Sequence, residues 1–127
     1  MKKCISSGSE FEQTYAYSRI VVQDQWVFVS GTTGYNYQDM SISDSVVDQT
    51  EQCFKNIQSA LLEAGSDFSE VVRVNYILPD KSDFKDCVAV IQKYLANSRP
   101  AATMIEAGLL NEAMKIEIEV TAIKSIE

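Results

Sequence analysis

Apolar and polar residues alternate strictly near the C-terminus. Ile116, Ile118, Val120 and Ala122 fall on one side of Lys115 to Ile123, and Lys115, Glu117, Glu119 and Thr121 on the other. A period of two predicts a β-strand with one buried face. Arg99 to Ala122 as a whole reads as two strands joined by a short loop, of which this is the second. Upstream, Met1 to Ser6 can supply a short strand, and the polar Ser7 to Thr14 reads as loop. Ser18 to Val22 and Trp26 to Ser30 predict a hairpin across Gln23-Asp24-Gln25, ended by Gly31 to Gly34. Tyr35 to Ser43 is a connection without clear periodicity.

The period then changes to that of a helix. Val46, Val47, Thr50, Cys53, Phe54, Ile57, Ala60, Leu61 and Ala64 form one stripe, predicting a helix over Asp44 to Ala64. Ser43 or Asp44 can cap it, and Gly65 ends it. Glu70 to Leu78 is a strand rich in β-branched residues, apolar on both faces except at Arg73 and Asn75, and Pro79-Asp80 breaks it. A second helix, Ser82 to Leu95, carries Phe84, Cys87, Val88, Ile91 and Leu95 on one side, and Asn97 to Pro100 turns the chain into the final stretch. The order is β-β-β-α-β-α-β-β. Two helices of this length cover one face of a sheet, yet the strand at 70–78 wants cover on both. A second copy of the chain is the simplest cover, so oligomerisation is expected.

Composition narrows the function. At 127 residues the chain is expected to form one domain, residues 1–127, and its 46% apolar and 23% charged content is that of a soluble globular protein. A net charge of -7 argues against nucleic acid as a partner, since that affinity rests on Lys and Arg displacing counterions. There is no histidine, which removes imidazole bases and histidine-ligated metals. Cys4, Cys53 and Cys87 are widely spaced with no CxxC, so neither a disulfide framework nor a metal site is expected. Cys53 and Cys87 lie on helical apolar stripes, as small core residues in a reducing cytoplasm would. The apolar run of a signal peptide is absent after Lys2-Lys3, and no stretch approaches the ~20 apolar residues of a membrane span. The expected location is the cytoplasm.

Several short motifs carry a resemblance. Pro100-Ala101-Ala102-Thr103, Ile105-Glu106 and Ile116-Glu117-Ile118-Glu119 resemble the C-terminal signature of the Rid family (reactive-intermediate deaminases, YjgF/YER057c/UK114), which reads Pro-Ala-Arg-Ser/Thr, Val-Glu, Ile-Glu-Ile-Glu. Tyr17-Ser18 resembles its Gly-Pro-Tyr-Ser motif with Ala16 in the proline place, and Val29-Ser30-Gly31 its Ser-Gly strand end, with Thr32 for the usual glutamine. Gln49-Thr50, Gln52, Asn56-Ile57, Val72-Arg73-Val74 and Asp83-Phe84 extend the likeness along most of the chain. It implies an α+β, chorismate-mutase-like fold: a mixed sheet covered on one face by two helices, assembled as a homotrimer with the sheets facing inward and small-molecule clefts between subunits.

The resemblance also implies chemistry, hydrolysis of enamines and imines such as 2-aminoacrylate to 2-keto acids and ammonia without a cofactor. It implies Glu117 as the group that positions or activates water, with Tyr17, Ser30, Gly31, Thr103 and Met104 around the ligand. The family's carboxylate-binding arginine is replaced by Ala102. Losing such a bidentate contact costs roughly 2–5 kcal/mol, about 30- to several-thousand-fold in turnover efficiency. Three alternatives stay open. Arg99 reaches the cleft from the adjacent turn or faces solvent there. Arg73 faces the cleft or forms a structural ion pair within its strand. Or the ligand lacks a carboxylate and meets an apolar lining of Met104, Tyr17 and Ala102, to which the loop residues Tyr35 and Tyr37 contribute unless they serve packing. Three functions are weighed: an arginine-lacking hydrolase of C–N bonds, a trimeric metabolite-binding module without catalysis, and the ribonuclease role attached to some relatives, which the acidic charge disfavours.

Overall fold

The computed structural model describes residues 1–125 and is organised on a six-stranded sheet. Its strands are β1 (Lys2–Ile5), β2 (Ile20–Gln23), β3 (Trp26–Thr33), β6 (Val71–Leu78), β7 (Ala101–Glu106) and β8 (Glu117–Ile123). A separate two-stranded ribbon joins β4 (Tyr35–Asn36) to β5 (Ser41–Ile42). The sheet order is β1-β2-β3-β8-β6-β7, and only the β6–β7 pair is parallel. The helices are α1 (Glu10–Thr14), α2 (Val46–Glu63) and α3 (Val88–Leu95). The α+β architecture matches the expectation, with a mixed sheet and its helices.

The alternation at the C-terminus works as the pattern demands. Ile118, Val120 and Ala122 are buried under α2, while Glu117, Glu119 and Thr121 stay half-buried on the other side. The stripe of α2 buries Phe54, Ile57 and Leu61 completely, each worth about 1.5–3 kcal/mol of transfer free energy. Ser45 rather than Ser43 or Asp44 caps it, its hydroxyl accepting from the Asp48 amide at 3.2 Å, and Gly65 leaves it at φ 79°. Two stripe members point outward, Val47 and, at the start of α3, Val88. The second helix is also shorter than its periodicity suggests. Residues Lys81–Cys87 wind as a 3₁₀ segment, a tighter coil that carries the chain into α3.

Four local differences shape the functional region. Residues 7–14 are not all loop, because Ser9 caps the short α1. The β2–β3 turn needs only two residues, with Gln23 opposite Trp26 and Asp24 at φ 55°. β3 runs on past Ser30 to Thr33 through a β-bulge, since Val29 pairs with Val120 but Thr32 with Ile118. Finally, β7 and β8 are not joined by a short loop as neighbours. β6 lies between them, and residues 107–116 form the long crossing connection.

β7 is the sheet's outer strand, exposed along its whole length. Register sets Ala102 and Met104 beside Val74 and Tyr76, on the side the helices cover, but the helices do not reach that far. Arg73 is exposed at a second irregularity, between Val71 and Arg73. Trp26, Phe28, Val72, Met104 and Ile105 are all more than a third exposed, so much apolar surface lies outside the core.

Candidate functional site

Short elements at one end of β3 and β8 make a cavity of about 220 Å³, with walls from Phe11, Tyr15, Tyr17, Gly31, Tyr37, Leu110, Met114 and Glu117. That is below the 300–1,000 Å³ of drug-sized pockets, so it suits a small metabolite. Glu117, the first residue of β8, lies between Thr33 of β3 and Ile77 of β6. The two glutamates of β8 differ sharply. Glu119 accepts from the Asn75 amide at 2.8 Å, whereas no donor among the described residues bonds the Glu117 carboxylate. Burial, with the like charge of Glu119, raises the Glu117 carboxyl above its ordinary value, and the Arg19 charge offsets this only in part.

Gly31 is required by that carboxylate. A Cβ at residue 31 would lie 2.1 Å from Glu117 Oε2, so any side chain there would displace it. The bulge that contains Gly31 thus lets the strand backbone lie directly against the acid. Ser30 has a different part. Its hydroxyl donates to the Ser18 carbonyl at 2.6 Å and ties the start of β2 to β3.

Tyr17 reaches the cavity through a tight turn. Its amide donates to the Glu12 carbonyl at 3.0 Å, and Ala16 before it takes φ 59°. A proline cannot adopt that angle, which explains locally why alanine stands there. Behind Tyr17 is a buried ion pair that sequence reasoning missed. Arg19 and Glu12 are 2% and 4% exposed, with Nε 3.6 Å from the carboxylate. Arg19 Nη1 donates to the Gly31 carbonyl at 2.8 Å and to Thr32 Oγ1 at 3.0 Å, and Nη2 to the Tyr17 hydroxyl at 3.4 Å. Its guanidinium carbon lies 4.8 Å from the centre of the Tyr37 ring. Burial works to raise Glu12, but hydrogen bonds from Ser7 and Ser6 and the Arg19 charge together hold it below the usual carboxylate range. Burial lifts the Tyr17 phenol above its ordinary value against the pull of Arg19.

A residue that the sequence reading named only as part of a motif fixes the opposite wall. Gln49 of α2 is fully buried, its amide donating to the Ser43 and Ala113 carbonyls at 2.7 and 2.8 Å and accepting from the Lys115 amide at 2.9 Å. It therefore holds the connection that carries Leu110 and Met114. Signals for both finds existed. Ser9-Glu10-Phe11-Glu12 has capping-box spacing, and Gln49 sits on the apolar stripe. Nothing in the sequence turns Arg19 inward, because an arginine before an apolar strand reads as its solvated end.

Within one chain the remaining expected site residues lie elsewhere. Ala102, Thr103 and Met104 are on the exposed edge strand β7. Arg99 is exposed at φ 48° on a separate depression lined by Ile91, Gln92, Leu95, Ala96 and Pro100. Tyr17, Gly31 and Glu117 come together in the cavity and Tyr37 joins them, whereas Tyr35 is buried and does not line it. Among the described residues, no group of three or more His, Cys, Asp or Glu is placed to hold a metal, and no helix is long and apolar enough to cross a membrane.

A model of the endoribonuclease L-PSP family matches residues 7–124. The chain belongs to the Rid family. Human 2-iminobutanoate/2-iminopropanoate deaminase is 30% identical over 125 residues, 98% of this chain and 91% of that protein. Reactive Intermediate Deaminase A, chloroplastic, of Arabidopsis thaliana is 36% identical over 107 residues, and there this Rid chain covers 84% of itself but only 57% of the relative. A YjgF/YER057c/UK114 family structure from Mycobacterium tuberculosis superposes with a TM-score of 0.88 at 32% identity, covering 97% of this chain and 99% of that one.

Proposed function

We propose that this Rid chain hydrolyses the C–N bond of a small imine or enamine in the Glu117 cavity, releasing ammonia, and that it handles amino-acid-derived imines such as 2-aminoacrylate poorly. The observation that carries the reading is a half-buried carboxylate with no hydrogen-bond donor among the described residues, a raised pKa and a small cavity in front of it. The names of the relatives, deaminases of 2-iminobutanoate and 2-iminopropanoate, agree with it. An enamine first tautomerises to the imine, its nitrogen giving up a proton and the neighbouring carbon gaining one. Water then adds to the imine carbon while Glu117 takes its proton and passes it to nitrogen. The same carboxyl then moves the hydroxyl proton of the carbinolamine to the departing nitrogen, and C=O and ammonia separate. One water is consumed and one ammonia released.

The poor turnover of carboxylate-bearing imines follows from Ala102, which offers no cation at the place where the family carries its arginine. The edge strand bearing Ala102, Thr103 and Met104 is exposed, and the apolar surface around Val72 and Ile105 is uncovered. A homotrimer packing these faces together would set β7 of one copy beside the cavity of another, and a solution mass three times 14.2 kDa is the expected result. A net charge of -7 speaks against RNA as substrate. Cys53 and Cys87, buried and unpaired, fit a reducing compartment such as the cytoplasm. The same observation about Ala102 favours a second reading, a binding module without catalysis. Ammonia release from imines generated in situ separates the two. Release abolished by Glu117→Gln supports hydrolysis, and silence with every imine tested overturns it.

A further inference from the structure

Among the described residues Arg19 is the one buried cation near the cavity, and its five N–H groups are unevenly used. Nη1 is saturated by the Gly31 carbonyl and Thr32 hydroxyl, Nε makes no hydrogen bond, and Nη2 meets the Tyr17 hydroxyl. A guanidinium has no acceptor, so the contact with Tyr17 has one direction: the phenol oxygen accepts. The phenol proton must then point elsewhere. No acceptor among the described residues takes it, and Tyr17 is 36% exposed at the cavity wall. A hydroxyl that accepts from a cation is also a stronger donor, because hydrogen bonds in a chain polarise one another.

We propose that Arg19 and Tyr17 form a donor relay that replaces the missing arginine, with the Tyr17 O–H binding an oxygen of the carboxylate of a small 2-imino or 2-oxo acid and Arg19 acting as the positioning residue behind it. The inference rests on the Glu117 cavity being the ligand site. A single phenol donor is weaker than a bidentate guanidinium, so it leaves carboxylate substrates bound, but loosely. Arg19 cannot make the contact itself, because Tyr17, Gly31 and Tyr37 separate it from the cavity they line.

The test is calorimetric titration with 2-oxobutanoate, the product of 2-iminobutanoate hydrolysis, on the full chain. Tyr17→Phe is expected to weaken binding by about tenfold. The pair Glu12→Gln with Arg19→Gln, which removes both buried charges together, should weaken it by a similar factor. Adding Tyr17→Phe to that pair should cost clearly less than the roughly tenfold it costs in wild type, because the phenol then lacks the polarisation Arg19 supplied. A carbon-13 label on the tyrosine ring should show the Tyr17 phenol ionising at higher pH in the charge-free pair than in wild type, a change that a packing role would not produce. Arg19→Lys keeps the buried charge without the planar fork and should give an intermediate loss even if the pair proves unstable. Losses that multiply, an unmoved phenol titration, or no binding by wild type would overturn the relay. Ammonia release that ignores Arg19 would keep the hydrolase reading and sink the relay, and binding that depends on Arg19 without any ammonia release would do the reverse.

Discussion

Replacing Gly31 by alanine should separate catalysis from folding. The new Cβ would stand 2.1 Å from Glu117 Oε2, against an ordinary contact of 3.4 Å or more, so the carboxylate must withdraw by about 1 Å. The atom that moves is the far end of a flexible side chain, and Gly31 does not occupy the left-handed region, so the strand itself can stay. Misplacing a reacting group by 1 Å costs on the order of a hundredfold in rate. Gly31→Ala should therefore lower kcat/KM for ammonia release by about that factor while Tm changes little. The Glu117 carboxyl, pushed toward solvent, should titrate closer to its ordinary value of 4.5, which carbon-13 NMR of the glutamates would follow independently of turnover. Wild-type turnover in Gly31→Ala, with an unmoved Glu117 titration, would refute the placement of the acid against the bulge.

Other substitutions test the supports of the same cavity. Gln49→Leu leaves the Ser43 and Ala113 carbonyls and the Lys115 amide without their partner and should cost roughly 2–5 kcal/mol in chemical denaturation, with loss of activity. Ala16→Gly relieves the φ of 59° and should stabilise by about 1 kcal/mol, since alanine pays a steric penalty in the left-handed region. Glu117 is raised in the folded chain, so its stabilising contribution is full below the unfolded value near 4.5 and is lost as pH rises through the folded one. Glu117→Gln should accordingly melt at a higher temperature than wild type at neutral pH, the gain vanishing below about pH 4.

The elements most legible in the sequence were those whose period is long enough to read. The alternation of β8 and the stripe of α2 each predict their buried face, apart from Val47, which points outward, and Gln49, which is buried although it is not among the predicted members of the stripe. α1 escaped because five residues with one large apolar side chain, Phe11, carry no period. The bulge in β3 escaped because Gly31 looks the same whether it ends a strand or admits a carboxylate. Of the site, Tyr17, Gly31 and Glu117 came from motifs, and they do meet in one cavity. Arg19 stood in no motif, and Gln49 stood in the first-helix motif without its inward role showing, because a polar residue turned inward is specified by its partners on distant segments, here Gly31, Ala113 and Lys115.

The central claim is a working Rid acid in a cavity that lacks the arginine for carboxylates. Its most direct test is ammonia release from 2-aminoacrylate generated in situ, comparing wild type with Ala102→Arg. Slow release by wild type, raised by about 30-fold or more in Ala102→Arg and abolished when Glu117→Gln is added, is the predicted result. Silence in both wild type and Ala102→Arg, with the fold intact, would contradict the account.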